Sequence, residues 1–228
     1  MFFAPRYAVY EDPRVLTPID KDLLYLNGVY YQSYKYFPNL RNDLISWMKK
    51  TADFQNLPKS NDQNFVICVH TRRGDFINHK YAATDVNFLR GALKLIEKSP
   101  NNKTRKTVLF GDDQKFMMSI FKDTVLSSNK NISSKTIHFV SKNTPSIDLI
   151  YSKSHCDVVL ITAPASTFGW WMGYLSKGDT VYYQDIRTTD DIHYKNGKFN
   201  PPDYYLPQWT SLRLLMDNVT VVNNTYFI

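Results

Sequence analysis

The sequence predicts an α/β protein built on a Rossmann-like parallel sheet, and three observations carry that reading. From about residue 60 onward, short apolar runs alternate with longer segments of helical periodicity. The apolar runs are nearly continuous, as strands covered on both faces should be. Capping residues, prolines and glycines stand where the two kinds of segment change over. Strand and helix in strict alternation give a parallel sheet with helices on both faces.

Each element has its own warrant. "NFVICVH" (64–70) is a strand. "TDVNFLRGALKLIEK" (84–98) is a helix, with Leu89, Ala92, Leu93 and Ile96 at i, i+3, i+4 and i+7. "KTVLFG" (106–111) is a second strand and "DDQKFMMSIF" (112–121) a helix with an aspartate cap. "KTIHFV" (135–140) is a third strand. "TPSIDLIYSKSHC" (144–156) is a helix, with Thr144 at its cap and Pro145 at its first position. "DVVLIT" (157–162) is a fourth strand, "STFGWWMGYLS" (166–176) a helix and "DTVYYQD" (179–185) a fifth strand. Before residue 60, "PNLRNDLISWMKKTADF" (38–54) fits an amphipathic helix with Leu40, Leu44, Ile45 and Met48 on one face. After 200, "PPDYYLPQWTSLRLLMD" reads as a surface crossing followed by a short final helix.

Bulk properties narrow the function. A chain of 228 residues, 43% hydrophobic and 15% aromatic, carries a packed core. The +7 net charge and pI near 9.2 favour an anionic ligand, a nucleic acid or an acidic membrane surface without choosing between them, and no Lys/Arg block marks a nucleic-acid tail. No apolar run reaches the roughly 20 residues of a membrane span, and "MFFAPRYAVY" is a poor signal peptide. Cys68 and Cys156 are too few for a disulfide framework or zinc site and read as buried thiols. Glycosylation sequons begin at Asn102, Asn131, Asn218 and Asn223, in keeping with a secretory lumen. His79, His138, His155 and His193 have no metal-ligand spacing. No nucleophile elbow, Walker A or dinucleotide glycine motif is present.

In a parallel α/β sheet, ligands bind beyond the carboxyl ends of the strands. Several polar groups fall there. His70, Arg72, Arg73 and Asp75 leave the first strand. Paired guanidinium forks suit a diphosphate, or else pair with Asp75. Ser166 and Thr167 open the helix after the fourth strand, making an anion site or a plain cap. Asp112 and Asp113 follow the second strand. They could hold a cation, or one could cap its helix while the other reaches a ribose. Asp148, in the first turn of its helix, suits the donor edge of guanine or simply the helix dipole. Trp170 and Trp171 read as core packing rather than ligand stacking. "RGD" (73–75) would need a protruding loop to act in adhesion.

"HTRRGDF" (70–76) resembles the H-x-R-R-G-D-[YF] motif of the α-1,2-fucosyltransferases, glycosyltransferase family 11. "VLFGDD" is similar to that family's second block. "SIDLIYSKSHCDVVLITAPASTFGWWMGYLSKGDTVYY" resembles its third. "NGVYYQSYKYF" and "PPDYYLPQWT" resemble its flanking stretches, so the likeness runs from about residue 25 to 212. It implies a GT-B type fold, with a remnant of the amino-terminal, acceptor-side half over 1–60 and a GDP-fucose-binding Rossmann-like domain over 61–228. It implies fucose transfer from GDP-fucose to a terminal galactose or similar sugar of a glycan, with inversion and no required metal or other cofactor. Arg72 would bind the phosphate and His70 would shape the nucleotide site. Asp148 would bind guanine; Ser166, Thr167 and Phe168 would hold the diphosphate-fucose end. Arg73, Asp112 and Asp113 would complete the donor site. Asp75 is the candidate base, or a buttress for the arginines. The family's membrane anchor and Gly-rich stretch are absent from this sequence. Two expectations therefore follow: a Golgi enzyme by resemblance, or a GDP-fucose-binding domain without turnover.

Overall fold

A computed structural model gives the chain's structure over residues 7–18, 30–49, 53–98, 102–121 and 137–223. Its centre is a seven-stranded sheet: β1 (Asn64–Thr71), β2 (Thr104–Gly111), β3 (Ile137–Val140), β4 (Val158–Ile161), β5 (Thr180–Gln184), β6 (Thr210–Leu214) and β7 (Val221–Asn223). The spatial order is β3-β2-β1-β4-β5-β6-β7. All neighbours are parallel except β6 and β7, which pair antiparallel. The fold is α/β and Rossmann-like, as the alternation predicts.

The continuous apolar strands have a simple cause. Successive side chains point to opposite faces, and here both faces are dry. Val66 and Cys68 of β1 join one core with Val108, Phe110, Val159 and Ile161. Ile67 and Val69 join the other with Leu109, Val158 and Leu160. Among the described residues the α-helices are α1 (Arg41–Trp47), α2 (Gly74–Asn78), α3 (Val86–Glu97), α4 (Gln114–Ser119), α5 (Pro145–His155), α6 (Thr167–Tyr174), α7 (Ile192–Lys195) and α8 (Pro201–Tyr204). α3 buries Phe88, Leu89, Ala92, Leu93 and Ile96 against the second core, the stripe its periodicity predicts. α5 and α6 cover the first core with Tyr151, Trp170 and Met172.

Three expectations are corrected. The final helix is instead the strand β6, with α8 ahead of it and β7 after it. The 38–54 helix is confined to Arg41–Trp47, residues 50–52 lying outside those described. Cys68 and Cys156 are not thiols: they form a disulfide with Cα atoms 5.5 Å apart. They lie 88 residues apart in sequence. β4 pairs directly with β1, so the residue entering β4 arrives beside the middle of β1.

The described residues before 60 add no strand to the sheet. They drape over its carboxyl-side elements. Ala8 bridges Phe199, Tyr7 stacks on His193, the Ser33 hydroxyl donates to the Asp203 carbonyl at 2.6 Å and Lys35 pairs with Asp203 at 2.6 Å.

Candidate active site

Topology places the site. The chain builds β1, β2 and β3 outward in one direction, then returns to lay β4 on the other side of β1. The crevice at such a reversal, beyond the carboxyl ends of the strands, is where α/β sheets bind ligands. His70, next to last in β1, lies on one side of it and Ser166 follows β4 on the other. Ser166 occupies the cap position of α6, yet its side chain caps nothing. Its hydroxyl faces His70 Nε2 at 3.3 Å instead. The plain-cap alternative therefore does not describe Ser166, whose oxygen is held in the crevice beside the free N–H groups of the helix.

His70 is 1% exposed. Burial, reinforced by the Arg72 charge, pushes its imidazole down to about 3, so it stays neutral at any physiological pH. Gly169 lets the ring lie there. A Cβ at Gly169 would come within 2.6 Å of His70 Nδ1 and 2.9 Å of its Cγ. The Phe168 ring lies 5.9 Å from that of His70, and Thr167 is half-buried at the start of α6.

The two arginines divide their work. Arg72 donates through Nε to Asp75 Oδ1 at 2.8 Å and lies 3.3 Å from Asp112 Oδ2. Its two terminal nitrogens make no hydrogen bond among the described residues, and a third of the side chain is exposed. Arg73 is spent locally: Nη1 donates to the Thr84 carbonyl at 2.9 Å and the guanidinium covers Phe116 at 4.4 Å. Asp75 is drawn below the ordinary carboxylate range by its hydrogen bond from Arg72. Of its two expected roles, the geometry is that of the buttress. Asp113 caps α4, accepting from Phe116 N at 2.9 Å. Asp112 accepts from Arg73 N at 3.0 Å and so holds the arginine loop. The "RGD" tripeptide forms the start of α2, with Gly74 and Asp75 exposed, and a Cβ on Gly74 would meet Asp112 Oδ2 at 2.7 Å.

Asp148 lies further along the same edge, in the first turn of α5 beyond β3. It is 6% exposed and accepts from the Ser141 hydroxyl at 2.6 Å. Burial raises it to about 6, with Ser141 and Asn143 pulling the other way. The edge thus carries, in strand order, Asp148 after β3, Asp112 after β2, His70 at the end region of β1 with Arg72 just after it, and Ser166 after β4. Three strand spacings are roughly 14 Å, the scale of a nucleoside diphosphate sugar.

Sequence reasoning missed the threonines that fix this loop. Thr84 Oγ1 accepts from Arg72 N at 2.9 Å and meets Thr162 Oγ1 at 2.9 Å, while Thr162 donates to the His70 carbonyl at 2.7 Å. Thr162 closes the β4 run "DVVLIT", and a buried hydroxyl at a strand end was the available signal. Of the sequons, Asn102, Asn218 and Asn223 are exposed, and Asn131 lies outside the described residues. His138 is exposed on the edge strand β3, and among the described residues no three His, Cys, Asp or Glu side chains cluster as metal ligands.

Residues 14–213 match the family model described as glycosyl transferase family 11. The chain belongs to this family. It is 44% identical over 220 residues to a putative glycosyltransferase of Caenorhabditis elegans, covering 94% of this chain and 60% of that protein. It is 44% identical over 221 residues to a putative galactoside 2-alpha-L-fucosyltransferase of the same organism, covering 95% and 60%. A galactoside 2-alpha-L-fucosyltransferase, also of C. elegans, is 36% identical over 236 residues, covering 91% and 57%. The chain therefore spans about 60% of the length of the curated relatives it matches. No solved structure matches it. No helix among the described residues is long and apolar enough to cross a membrane.

Proposed function

We propose that this chain binds GDP-fucose along the carboxyl edge of its sheet and serves an α-1,2-fucosyltransferase that passes the fucose to a galactoside hydroxyl. The observation that carries the reading is Arg72, held by Nε between two carboxylates with its terminal nitrogens uncommitted, beside the uncapped start of α6. In the reaction the bond from the fucose anomeric carbon to the phosphate oxygen breaks, a bond to the acceptor oxygen forms from the opposite face, and the acceptor hydroxyl gives up its proton to a base or to water. Negative charge grows on the departing GDP. Arg72 and the α6 N-terminus are fixed before the reaction, which is what makes such groups effective at stabilising developing charge. These groups supply that stabilisation without a metal. Asp148 accepts the two donors of the guanine edge, with Asp112 and the neutral His70 shaping the cleft between.

The buried disulfide and three exposed sequons support work in an oxidising secretory lumen, the Golgi by family resemblance.

Calorimetric titration with GDP and GDP-fucose in the presence of chelator tests this. Wild type binds both. Arg72→Ala loses two charge-assisted hydrogen bonds, weakening binding by about 100-fold or more. A folded wild-type chain that binds neither nucleotide refutes the reading, and binding that disappears in chelator refutes metal independence.

A further inference from the structure

Beyond Ser166 the edge opens into a cavity of about 270 Å³. Thr167, Trp170 and Trp171 of α6 form one wall, and residues 30–34 with Phe37 and Tyr204 form the other. None of the lining residues is charged. Lys35 and Asp203, each next in sequence to a lining residue, neutralise each other at 2.6 Å. This is the opposite of the arginine loop: a neutral, aromatic chamber that begins where the phosphate site ends.

Its walls are pre-formed. Phe37 stacks on Trp171 with ring centroids 5.7 Å apart and planes 15° apart, and meets Trp170 edge-on. Trp170 is fixed by Nε1 donating to the Tyr204 carbonyl at 2.7 Å. Trp170 is therefore core, as the sequence predicts, but Trp171 is half-buried and presents aromatic surface to the cavity. At the mouth, Tyr30 and Tyr31 both adopt the left-handed region, with φ of 64° and 48°. Two bulky residues in succession rarely hold that conformation, and backbone strain of this kind clusters at ligand clamps. Tyr30 is left 73% exposed. Gln32 contributes a side-chain amide whose oxygen has no partner among the described residues.

We propose that this cavity seats the terminal pyranose of the acceptor glycan. A pyranose has faces of C–H groups and a rim of hydroxyls. It is matched by aromatic rings carrying a few amide and hydroxyl groups, not by ions. Because Thr167 belongs to both the α6 N-terminus and the cavity wall, a sugar seated here lies next to the diphosphate end of the donor. The inference rests on the donor reading above for its meaning as an acceptor site, but its test reads out separately.

Tryptophan fluorescence, with Trp170 and Trp171 as reporters, is titrated with methyl β-galactoside, GDP and GDP-fucose. The galactoside gives a saturable change with a Kd on the order of 1–10 mM. Gln32→Ala and the exposed Tyr30→Ala each raise that Kd about tenfold, leaving the GDP Kd within about twofold. If the galactoside gives no response while the two variants weaken GDP-fucose but not GDP, the cavity holds the donor's fucose and the acceptor assignment is overturned. If neither sugar is sensed while GDP still binds, the cavity is no sugar site at all.

Discussion

Gly169→Ala tests the placement of His70 through the sign of a stability change. Alanine in place of glycine inside a helix ordinarily stabilises by about 0.5–1 kcal/mol. Here the added Cβ would sit 2.6 Å from His70 Nδ1, closer than Cβ atoms come to other groups, and 3.0 Å from Ile161 Cγ2, a tight contact. The ring cannot swing away, since both His70 and Ile161 are about 1% exposed. Overpacking of this kind costs about 1–3 kcal/mol. With a contact this short the upper end applies, so the helix gain leaves a net loss of about 2 kcal/mol. For a chain of this size that lowers Tm by about 4–8 °C. The displaced ring also loses its place beside Ser166, so GDP binding falls with it. Thermal melts of Gly169→Ala in wild-type and His70→Ala backgrounds give the answer. In the second background most of the penalty disappears, because the atoms it strikes are gone. An alanine that stabilises the wild type by about 1 kcal/mol, or an equal penalty in both backgrounds, refutes the placement.

Asp148 makes the pH dependence of donor binding calculable. On the proposed guanine role, only the ionised form of Asp148 accepts the two donors, so the expected GDP affinity is flat above about pH 6 and falls by up to about tenfold per unit below it. Asp148→Asn flattens that profile and weakens binding throughout. In the free chain the sign for stability is opposite. The folded state takes up the Asp148 proton between its ordinary 3.8 and about 6, so that contribution favours folding at low pH and is lost as pH rises through the window. Calorimetry and denaturant melts from pH 4 to 8 separate the two effects. The Cys68–Cys156 bond closes a loop of 88 residues, so the double variant Cys68→Ala/Cys156→Ala loses about 2–5 kcal/mol in chemical denaturation. A loss under about 1 kcal/mol contradicts the pairing.

The strands were legible because burial on both faces imposes a continuous apolar run, and Val66–Val69 carries that imprint in four residues. The tail was not legible for the opposite reason. "TSLRLLM" is too short for periodicity to separate a turn of helix from a strand. What decides it is Asp217, whose carboxylate accepts from Val219 N and Thr220 N and turns the chain so that Val221–Asn223 pairs back on β6. The disulfide was hidden because only the return of β4 to the side of β1 brings its halves together. In the site, residue types and strand ends could be read, but not how each side chain is spent.

That last distinction separates the two arginines, which residue type alone leaves equivalent. A guanidinium serves a phosphate with the nitrogens its neighbours do not use. Arg73 is committed to Thr84 and Phe116, so it shapes the loop; its loss acts through the position of Arg72. Arg72 is held at Nε by Asp75 and Asp112 and lies over the Phe76 ring at 5.7 Å, which orients the fork while, among the described residues, no hydrogen bond occupies its terminal nitrogens. The same grip makes Asp75 a weaker proton acceptor than a free aspartate. A carboxylate held down by an adjacent guanidinium is a weak proton acceptor near neutral pH. Asp75→Asn should therefore weaken donor binding by loosening Arg72, whereas loss of a base would lower turnover with GDP affinity intact.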